Sequence, residues 1–220
     1  MTQNALNKTS SRFTVDPLAA SDSYIQFNEE TVAKWRIGND ETDDNYKISQ
    51  GNALGTNDCV VLYSTGEVTL PLTPAFLATT DAGTAQDNVT GAGTLYNILY
   101  PTEIYDVSGD YNAGTSIFTA PTFGKYLICC SVSLAALDAN ATSGILVVLS
   151  SNRDYNLLGC NMGNIRDVGD DLQISAAVIV DMDAADTTKP RIIIYNMGGD
   201  TVDINVASTD SCRFTGFLLG

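Results

Sequence analysis

The sequence predicts an all-β protein in which about ten short strands form a sandwich or a barrel. Strand-like segments follow one another at short intervals from residue 76 onwards, and turn clusters separate them. The 220 residues include 18 glycines against 6 prolines, which is typical of a turn-rich β protein. No stretch repeats apolar residues at helical spacing over three turns, so no long helix is expected.

The N-terminal third divides into three kinds of segment. Residues 1–22 are polar and irregular, which predicts a flexible attachment tail. Residues 23–70 contain short apolar segments between acidic turn clusters. Strands this short are only marginally stable on their own in water. We therefore expect a β stem in which three copies cover one another's apolar edges. Residues 71–75 contain two prolines, which predict a stiff junction into a head domain over residues 71–220.

The head is organised around residues 109–128. Residues 117–119 favour a strand, and Pro121 ends that strand or places it at a sheet edge. From Tyr126 to Leu134 every second residue is apolar or a cysteine, so one face of this strand is expected in the core. The closing segment, residues 214–219, is predicted to be a central strand.

Two later strands are apolar on both faces, namely residues 144–149 and residues 191–195. Residues 94–100 are also expected to be extended, and residues 181–189 to form an acidic loop that Pro190 closes. A single sandwich buries one face of each sheet, so two-sided strands need a second cover. A trimer axis would supply it, with an obligate interface on the order of 2,000 Å² or more.

The order of motifs in the head resembles a known family. The pattern Tyr-x-x-x-Thr-x-x-Phe-Thr-Ala-Pro-x-x-Gly-x-Tyr begins at Tyr111 and ends at Tyr126, Gly-Asp-Thr-Val begins at Gly199, and Phe-Thr-Gly-Phe-Leu-Leu begins at Phe214. Together they are similar to the globular head of complement component C1q and its tumour-necrosis-factor-like relatives. The resemblance implies a ten-stranded jelly roll that assembles as a homotrimer and serves as a binding head.

A second resemblance lies in the predicted stem. The run Trp-Arg-Ile-Gly-Asn-Asp from Trp35, followed by Tyr-Lys-Ile-Ser-Gln-Gly-Asn-Ala-Leu-Gly-Thr-Asn-Asp from Tyr46, resembles a module of bacteriophage fibre proteins and bacterial surface fibres. In those proteins the module forms a trimeric β stem next to a head. The resemblance therefore implies a virion protein.

Charge and composition exclude several classes of function. The net charge is −15, from 26 acidic against 11 basic residues, which disfavours nucleic acid and anionic membrane surfaces as partners. The sequence has no histidine, so Ser-His-Asp and Cys-His catalysis are impossible. Apart from solubility, the acidity leaves cation binding open.

The five cysteines and the N-terminus point to folding in a reducing cytoplasm. The cysteines are odd in number and form no Cys-x-x-Cys motif, so buried free thiols are expected rather than disulfides or zinc. Residues 1–11 are polar, which predicts no secretion signal, and no apolar run is long enough to span a membrane. These features suit a protein assembled inside a host cell and released in a virion.

Three groups of acids are candidates for solvated loops, calcium ligands or a glycosidase pair. They lie in residues 40–44, 167–171 and 181–186, and none has the spacing of an EF-hand loop. Solvated loops are favoured. Calcium remains an alternative because some relatives of the resembled heads bind it, and otherwise no cofactor is expected.

The aromatic residues supply the remaining candidates. Core or trimer-seam packing is expected for Tyr111, Phe118, Tyr126, Ile128, Phe214 and Phe217. Tyr155, beside a predicted turn at residues 152–154, is a candidate receptor contact because sugars pack on tyrosine faces.

The sequence thus favours a non-enzymatic bacteriophage virion protein, either a trimeric fibre or a capsid decoration. Residues 1–70 would attach it to a capsid or tail protein, and the head would meet a host polysaccharide or protein, or ornament the particle. The alternatives are a soluble trimeric ligand of the complement or necrosis-factor type and a carbohydrate-binding or carbohydrate-cleaving spike.

Overall fold

The computed structural model describes residues 14–15, 19–151, 153–207 and 212–220. The predicted attachment tail falls largely on residues 1–13 and 16–18, which lie outside the described residues. The chain divides into two compact units, Met1–Leu72 and Thr73–Gly220, here called the stem unit and the head unit. The all-β class predicted from the sequence is confirmed, since the only helix among the described residues is a single turn.

The stem unit contains one five-stranded antiparallel sheet. Its strands are β1 Ser23–Glu29, β2 Val32–Asp40, β3 Asn45–Gln50, β4 Asp58–Leu62 and β5 Val68–Thr69. Each strand pairs with the next one along the chain, so the sheet is a simple meander. Acidic and glycine-containing turns connect the strands, as expected from turn chemistry.

The head unit contains the remaining elements. They are β6 Ala75–Thr79, β7 Tyr96–Asn97, β8 Thr102–Asp106, β9 Tyr111–Asn112, β10 Ile117–Thr119, β11 Gly124–Ala135, β12 Ser143–Ser150, β13 Asp154–Cys160, α1 Met162–Ile165, β14 Leu172–Met182, β15 Thr187–Tyr195, β16 Asp203–Ile204 and β17 Arg213–Leu218.

These strands form two facing sheets in jelly-roll order. One sheet has the order β13-β12-β15-β10-β9, with β7 beside β15, and the other has the order β14-β11-β17-β6-β8, with β16 beside β11. Consecutive strands cross repeatedly from one sheet to the other, which is the topology of a jelly roll. The last strand, β17, lies between β11 and β6 and is therefore central, as predicted.

The core between the sheets is rich in aromatic rings. Phe76 stacks on Tyr111 and on Phe118, with ring centroids 4.9 and 4.7 Å apart, and meets the edge of Phe214 at 4.8 Å. The period-two alternation of β11 places its apolar face here, since the side chains from Tyr126 to Leu134 that share this face are almost completely buried. Core packing thus follows directly from the strand pattern.

The region around Pro190 differs from the predicted acidic loop. Pro190 lies inside β15, opposite Val148 of β12, and its carbonyl accepts a hydrogen bond from the amide of Ile98 at 3.1 Å. The amide and the carbonyl of one residue point to the same side of a strand. The position where Pro190 lacks an N–H is therefore on the side of β15 that faces Ile98. Here the pairing with β10 has ended at Thr188 and the pairing with β7 begins only at Arg191. The gap between the two partners accommodates the proline.

Of the strand expected over residues 94–100, only the two residues of β7 pair with another strand. Further along this segment, side chains form the backbone hydrogen bonds that a neighbouring strand would otherwise form. Buried Gln86 accepts a hydrogen bond from the amide of Leu99 and donates one to its carbonyl, both at 2.8 Å. The amide of Tyr100 donates to the hydroxyl of Ser116 at 2.7 Å. These polar contacts satisfy the backbone without a neighbouring strand.

Candidate interaction surfaces

The outer side of the sheet β14-β11-β17-β6-β8 carries an apolar surface, here called the head face. Residues directly opposite each other in antiparallel strands share a face, so the strand register defines it. The head face comprises Ala75, Leu77, Tyr105, Leu127, Cys129, Ala177, Ile179, Thr215 and Phe217.

The centre of the head face is a continuous row across four strands. Ala75, Phe217, Leu127 and Ile179 follow one another in register from β6 to β14. Ile179 is 55% exposed and Phe217 is 42% exposed. An antiparallel sheet with one solvated face normally carries polar residues there, so this row indicates a contact surface.

Polar groups lie at the borders of the head face. At one end Lys125 and Asp181 form an exposed ion pair of 3.6 Å. Towards the other end a shallow cavity of about 370 Å³ is lined by Cys129, Ala177, Arg213 and Thr215, among others. Burial raises the pKa of the Cys129 thiol, which makes it a poorer nucleophile at neutral pH.

The structure divides the six packing candidates of the sequence between two places. Tyr111, Phe118, Tyr126, Ile128 and Phe214 lie in the core of the head unit, and the hydroxyls of the two tyrosines donate to the carbonyls of Tyr100 and Thr122. Phe217 instead lies on the head face. It is three residues from Phe214 on the same strand, and odd spacing along a strand places side chains on opposite faces.

The candidate receptor contact, Tyr155, is partly buried at the sandwich edge. It lies on β13 opposite Val148 and packs against the core, while the Arg153 guanidinium carbon lies 5.5 Å from its ring centroid. The ring therefore contacts the core and also lies within cation–π distance of an arginine. Residue 152, the first of the predicted turn, lies outside the described residues.

The acids of the β2–β3 turn enclose a buried lysine, which the sequence did not indicate. The Lys47 ammonium lies 2.8 Å from Asp40, 2.7 Å from Asp43 and 3.8 Å from Asp58. The side chains of Lys47 and Asp40 are each only 6% exposed, whereas Glu41 remains exposed. The expectation of solvated loop acids is thus wrong for Asp40, because its carboxylate neutralises a buried cation.

The electrostatics of this cluster follow from the pairing. The Lys47 ammonium holds the pKa of Asp40 and of Asp43 below the usual range. Burial alone would lower the pKa of Lys47, but the two carboxylates outweigh it and raise that pKa well above its ordinary value. All these groups are therefore charged at neutral pH.

Hydrogen bonds to the same cluster hold the loop between β3 and β4 in place. Asp58 accepts hydrogen bonds from the Ser49 hydroxyl at 2.5 Å and from the amide of Gly55 at 3.0 Å. Gly55 has a φ of +77°, and a Cβ there would lie 2.7 Å from Asp40. Only glycine satisfies both the left-handed backbone and this close approach. The loop thereby buries Leu54, which is 7% exposed.

The other two acid groups organise turns. Asp167 accepts hydrogen bonds from the amides of Gly169 and Asp171, and Asp186 accepts one from the amide of Asp183. Within the described part of the chain, no three acidic or cysteine side chains converge as metal ligands. All five cysteines are free thiols; Cys130 and Cys212 are buried and the other three are partly buried.

A further pair of carboxyl groups, not singled out in the sequence, lies at the end of β8 and in the turn that leads to β9. Asp106 accepts a hydrogen bond from the amide of Tyr111 at 2.7 Å. Its other oxygen and one oxygen of Asp110 are buried without a hydrogen-bond partner. Burial and then the charge of Asp106 raise the pKa of Asp110. An open cavity lined by Asp110, Asn112 and Thr119 adjoins the pair.

Among the comparisons with known proteins, the one with solved structures gives matches. No protein-family model matches the chain, and no curated protein matches it. Solved structures similar to 67% of the chain include the globular domain of a zebrafish complement 1qA protein, with 15% identity, a TM-score of 0.45 and 98% of that chain covered. Murine APRIL at pH 8.0 gives 10% identity, a TM-score of 0.47 and 99% coverage of that chain. The jelly roll itself is established by the strand order described above.

No helix among the described residues has both the length and the apolar character needed to cross a membrane.

Proposed function

We propose that this protein is a non-enzymatic structural component of a bacteriophage virion, a homotrimer that acts as a fibre or a decoration. Its head would bind the host surface or ornament the particle, and residues 1–70 would attach it to a capsid or tail protein. The observation that carries the proposal is the head face, because an uncharged apolar row on an outer sheet face needs a partner.

The head face supports self-association in particular. Its central row bears no charge, so a partner surface gains nothing from charged groups and must itself be apolar. The chain carries a net charge of −15, and copies of it would repel one another except where such an uncharged surface is shared. A homotrimer centred on this face satisfies both conditions.

The virion assignment is supported by the motif that begins at Trp35, which resembles a bacteriophage fibre module. The jelly-roll topology alone suits a soluble trimeric ligand equally well. We favour the virion protein because a separate stem unit precedes the head unit, and an attachment module next to a binding head is the organisation of a fibre.

Self-association is tested by the mass of the full chain in solution. We expect three times 23.4 kDa for the native protein by light scattering. Phe217→Asp places a charge in the head face and should give a folded monomer, with folding monitored by near-ultraviolet circular dichroism. Val168→Asp is the matched control, since Val168 is fully exposed in a loop, and it should remain a trimer. A monomeric native protein would refute the proposal.

The location is tested by electron microscopy of the phage particle with a gold label on the head unit. We expect label at a fixed position on the capsid or the tail. Removing residues 1–22 should leave the trimer intact and abolish the label. Particles that never carry the label would rule out a virion role.

Asp106 and Asp110 give a specific reason to test polysaccharide cleavage as a second function, because a carboxyl with a raised pKa beside a second carboxylate is how glycosidases are built. Incubation with host envelope polysaccharide should produce no new reducing ends if the protein only binds. New ends that disappear in Asp110→Asn would establish cleavage instead.

A further inference from the structure

One side of the stem sheet is apolar across all five strands and is here called the stem face. Rows of directly paired residues run across it, one of which is Ile25, Ile37, Ile48 and Val60. The complete face also includes Phe27, Trp35, Tyr46, Leu62 and Val68. The polar residues in these rows are Ser23, Asn39 and Gln50. The charged residue among the described pairs of the stem face is Glu29, which pairs with Val32 at the end of β1 and forms an exposed ion pair with Lys34.

The opposite side of the same sheet is already occupied. It carries Lys47 with its carboxylates, and Arg36, whose guanidinium lies 4.1 Å from the centroid of the Tyr24 ring. The loop after β3 folds over this side and buries Leu54. Charged groups and the loop thus cover one side, while none of the described elements of the stem unit forms a layer over the stem face.

The exposed area on the stem face is large for a single sheet. Six of its side chains are between 38% and 60% exposed, including Phe27, Trp35 and Val68. Three of the six are aromatic, and aromatic side chains each bury on the order of 150–250 Å². With the smaller aliphatic side chains included, the six leave on the order of 500 Å² of apolar surface exposed. This lies near the upper end of the largest patches on soluble monomers. A β layer that exposes such a face needs a second layer against it.

The partner that best satisfies this face is the same face of other copies. Away from Glu29 at its edge, the stem face is uncharged and apolar. Such a surface is complementary to another one like it, and a charged partner would lose its hydration there. If the head trimerises, as proposed above, three stem units are attached to one assembly through the short junction at residues 71–74. Their effective concentration is then in the millimolar range, so they meet one another before any other partner.

We propose that three stem faces pack together into one apolar core, and that the stem unit reaches its folded state only within the head trimer. The charged sides of the three sheets face the solvent, which keeps the Lys47 clusters apart. This inference rests on the proposed trimer and adds to it a second interface and an order of assembly, with the head first and the stem second.

Trp35, the only tryptophan, reports on this interface in the full chain. In a single copy its side chain is 41% exposed. We expect acrylamide to quench its fluorescence poorly in the native trimer. Ile25→Lys, in the central row, and Val68→Lys should raise the quenching constant several-fold and open the stem unit to proteolysis, while light scattering still shows a trimer held by the head.

Thr69→Lys is the matched control because Thr69 is exposed and adjacent to Val68 but lies on the opposite side of the sheet. It should leave quenching unchanged. A native trimer in which Trp35 is quenched freely would overturn the stem inference and leave the head trimer standing. A native monomer would overturn both proposals. A monomer with a shielded Trp35 would show that the chain covers its own stem face, which also contradicts the inference.

Discussion

Replacement of Phe118 by alanine tests the aromatic core that holds the two sheets of the head together. The ring is completely buried, stacks on Phe76 at 4.7 Å and contacts Tyr126 at 5.5 Å between centroids. Truncating a buried phenylalanine removes its transfer free energy and leaves a cavity, which together cost about 3–5 kcal/mol. Against a typical total of about 5–15 kcal/mol, this is a large share of the stability of the head.

The measurement is guanidinium unfolding at one fixed protein concentration, followed by near-ultraviolet circular dichroism. Most of the ten tyrosines lie in the head unit, whereas the single tryptophan lies in the stem unit, so this signal reports mainly on the head. Phe123→Ala is the control, since Phe123 is 78% exposed, and it should change the free energy of unfolding by less than about 0.5 kcal/mol. A loss below about 1 kcal/mol for Phe118→Ala would refute the placement of this ring in the core.

Three further predictions concern the stem cluster and one close contact in the head. Lys47→Met leaves the Asp40 carboxylate buried without a cation and should destabilise the stem unit by about 3–5 kcal/mol. The control is Lys34→Met in an exposed ion pair, which should cost less than about 0.5 kcal/mol. Equal effects of the two variants would contradict the burial of the Lys47–Asp40 pair. Because the folded-state pKa of Asp40 is lowered from 3.8, its contribution is present above pH 3.8 and is lost as the pH falls through the lowered pKa. Tryptophan fluorescence in guanidinium should therefore show the unfolding midpoint of the stem falling in acid, and much less so in Lys47→Met. Gly216→Ala places a Cβ 2.7 Å from the Ile128 side chain in the core and should reduce the free energy of unfolding by about 1–3 kcal/mol. The control is Gly159→Ala, whose Cβ would have no atom within 4 Å and which should not change the stability. An unchanged stability of Gly216→Ala in thermal unfolding followed by circular dichroism would show that the core side chains move to accommodate the methyl group.

The sequence and the structure place the uncovered apolar surface of the head on different sheets. The two-sided strands suggested that the sheet containing β12 and β15 needs an external cover. In the structure Val147, on the outer side of β12, is only 5% exposed within its own chain. The exposed residues Phe217 and Ile179 lie on the other sheet. Local apolar content shows that a strand is covered, but only the strand order shows which neighbour covers it.

The Lys47 cluster could not be predicted for a related reason. Asp40, Asp43 and Asp58 come together around one ammonium because the β2–β3 turn and the β3–β4 loop converge on the same side of the stem sheet. The sequence shows the acids as a turn cluster, which is usually solvated. The one hint in the sequence is Gly55, since glycine is the residue that permits a close approach of the backbone, but the sequence does not show which group approaches it.

The sequence by itself determined the β class, the alternation that buries one side of β11, and the central place of the last strand, because the two-residue period of a strand is a local property of the chain. Tertiary structure alone decided which outer surfaces stay apolar and uncovered, and which acids become buried counterions. Those outcomes depend on contacts between residues far apart in the sequence, such as Phe217 with Ala75, and no local pattern encodes which distant strand will lie alongside.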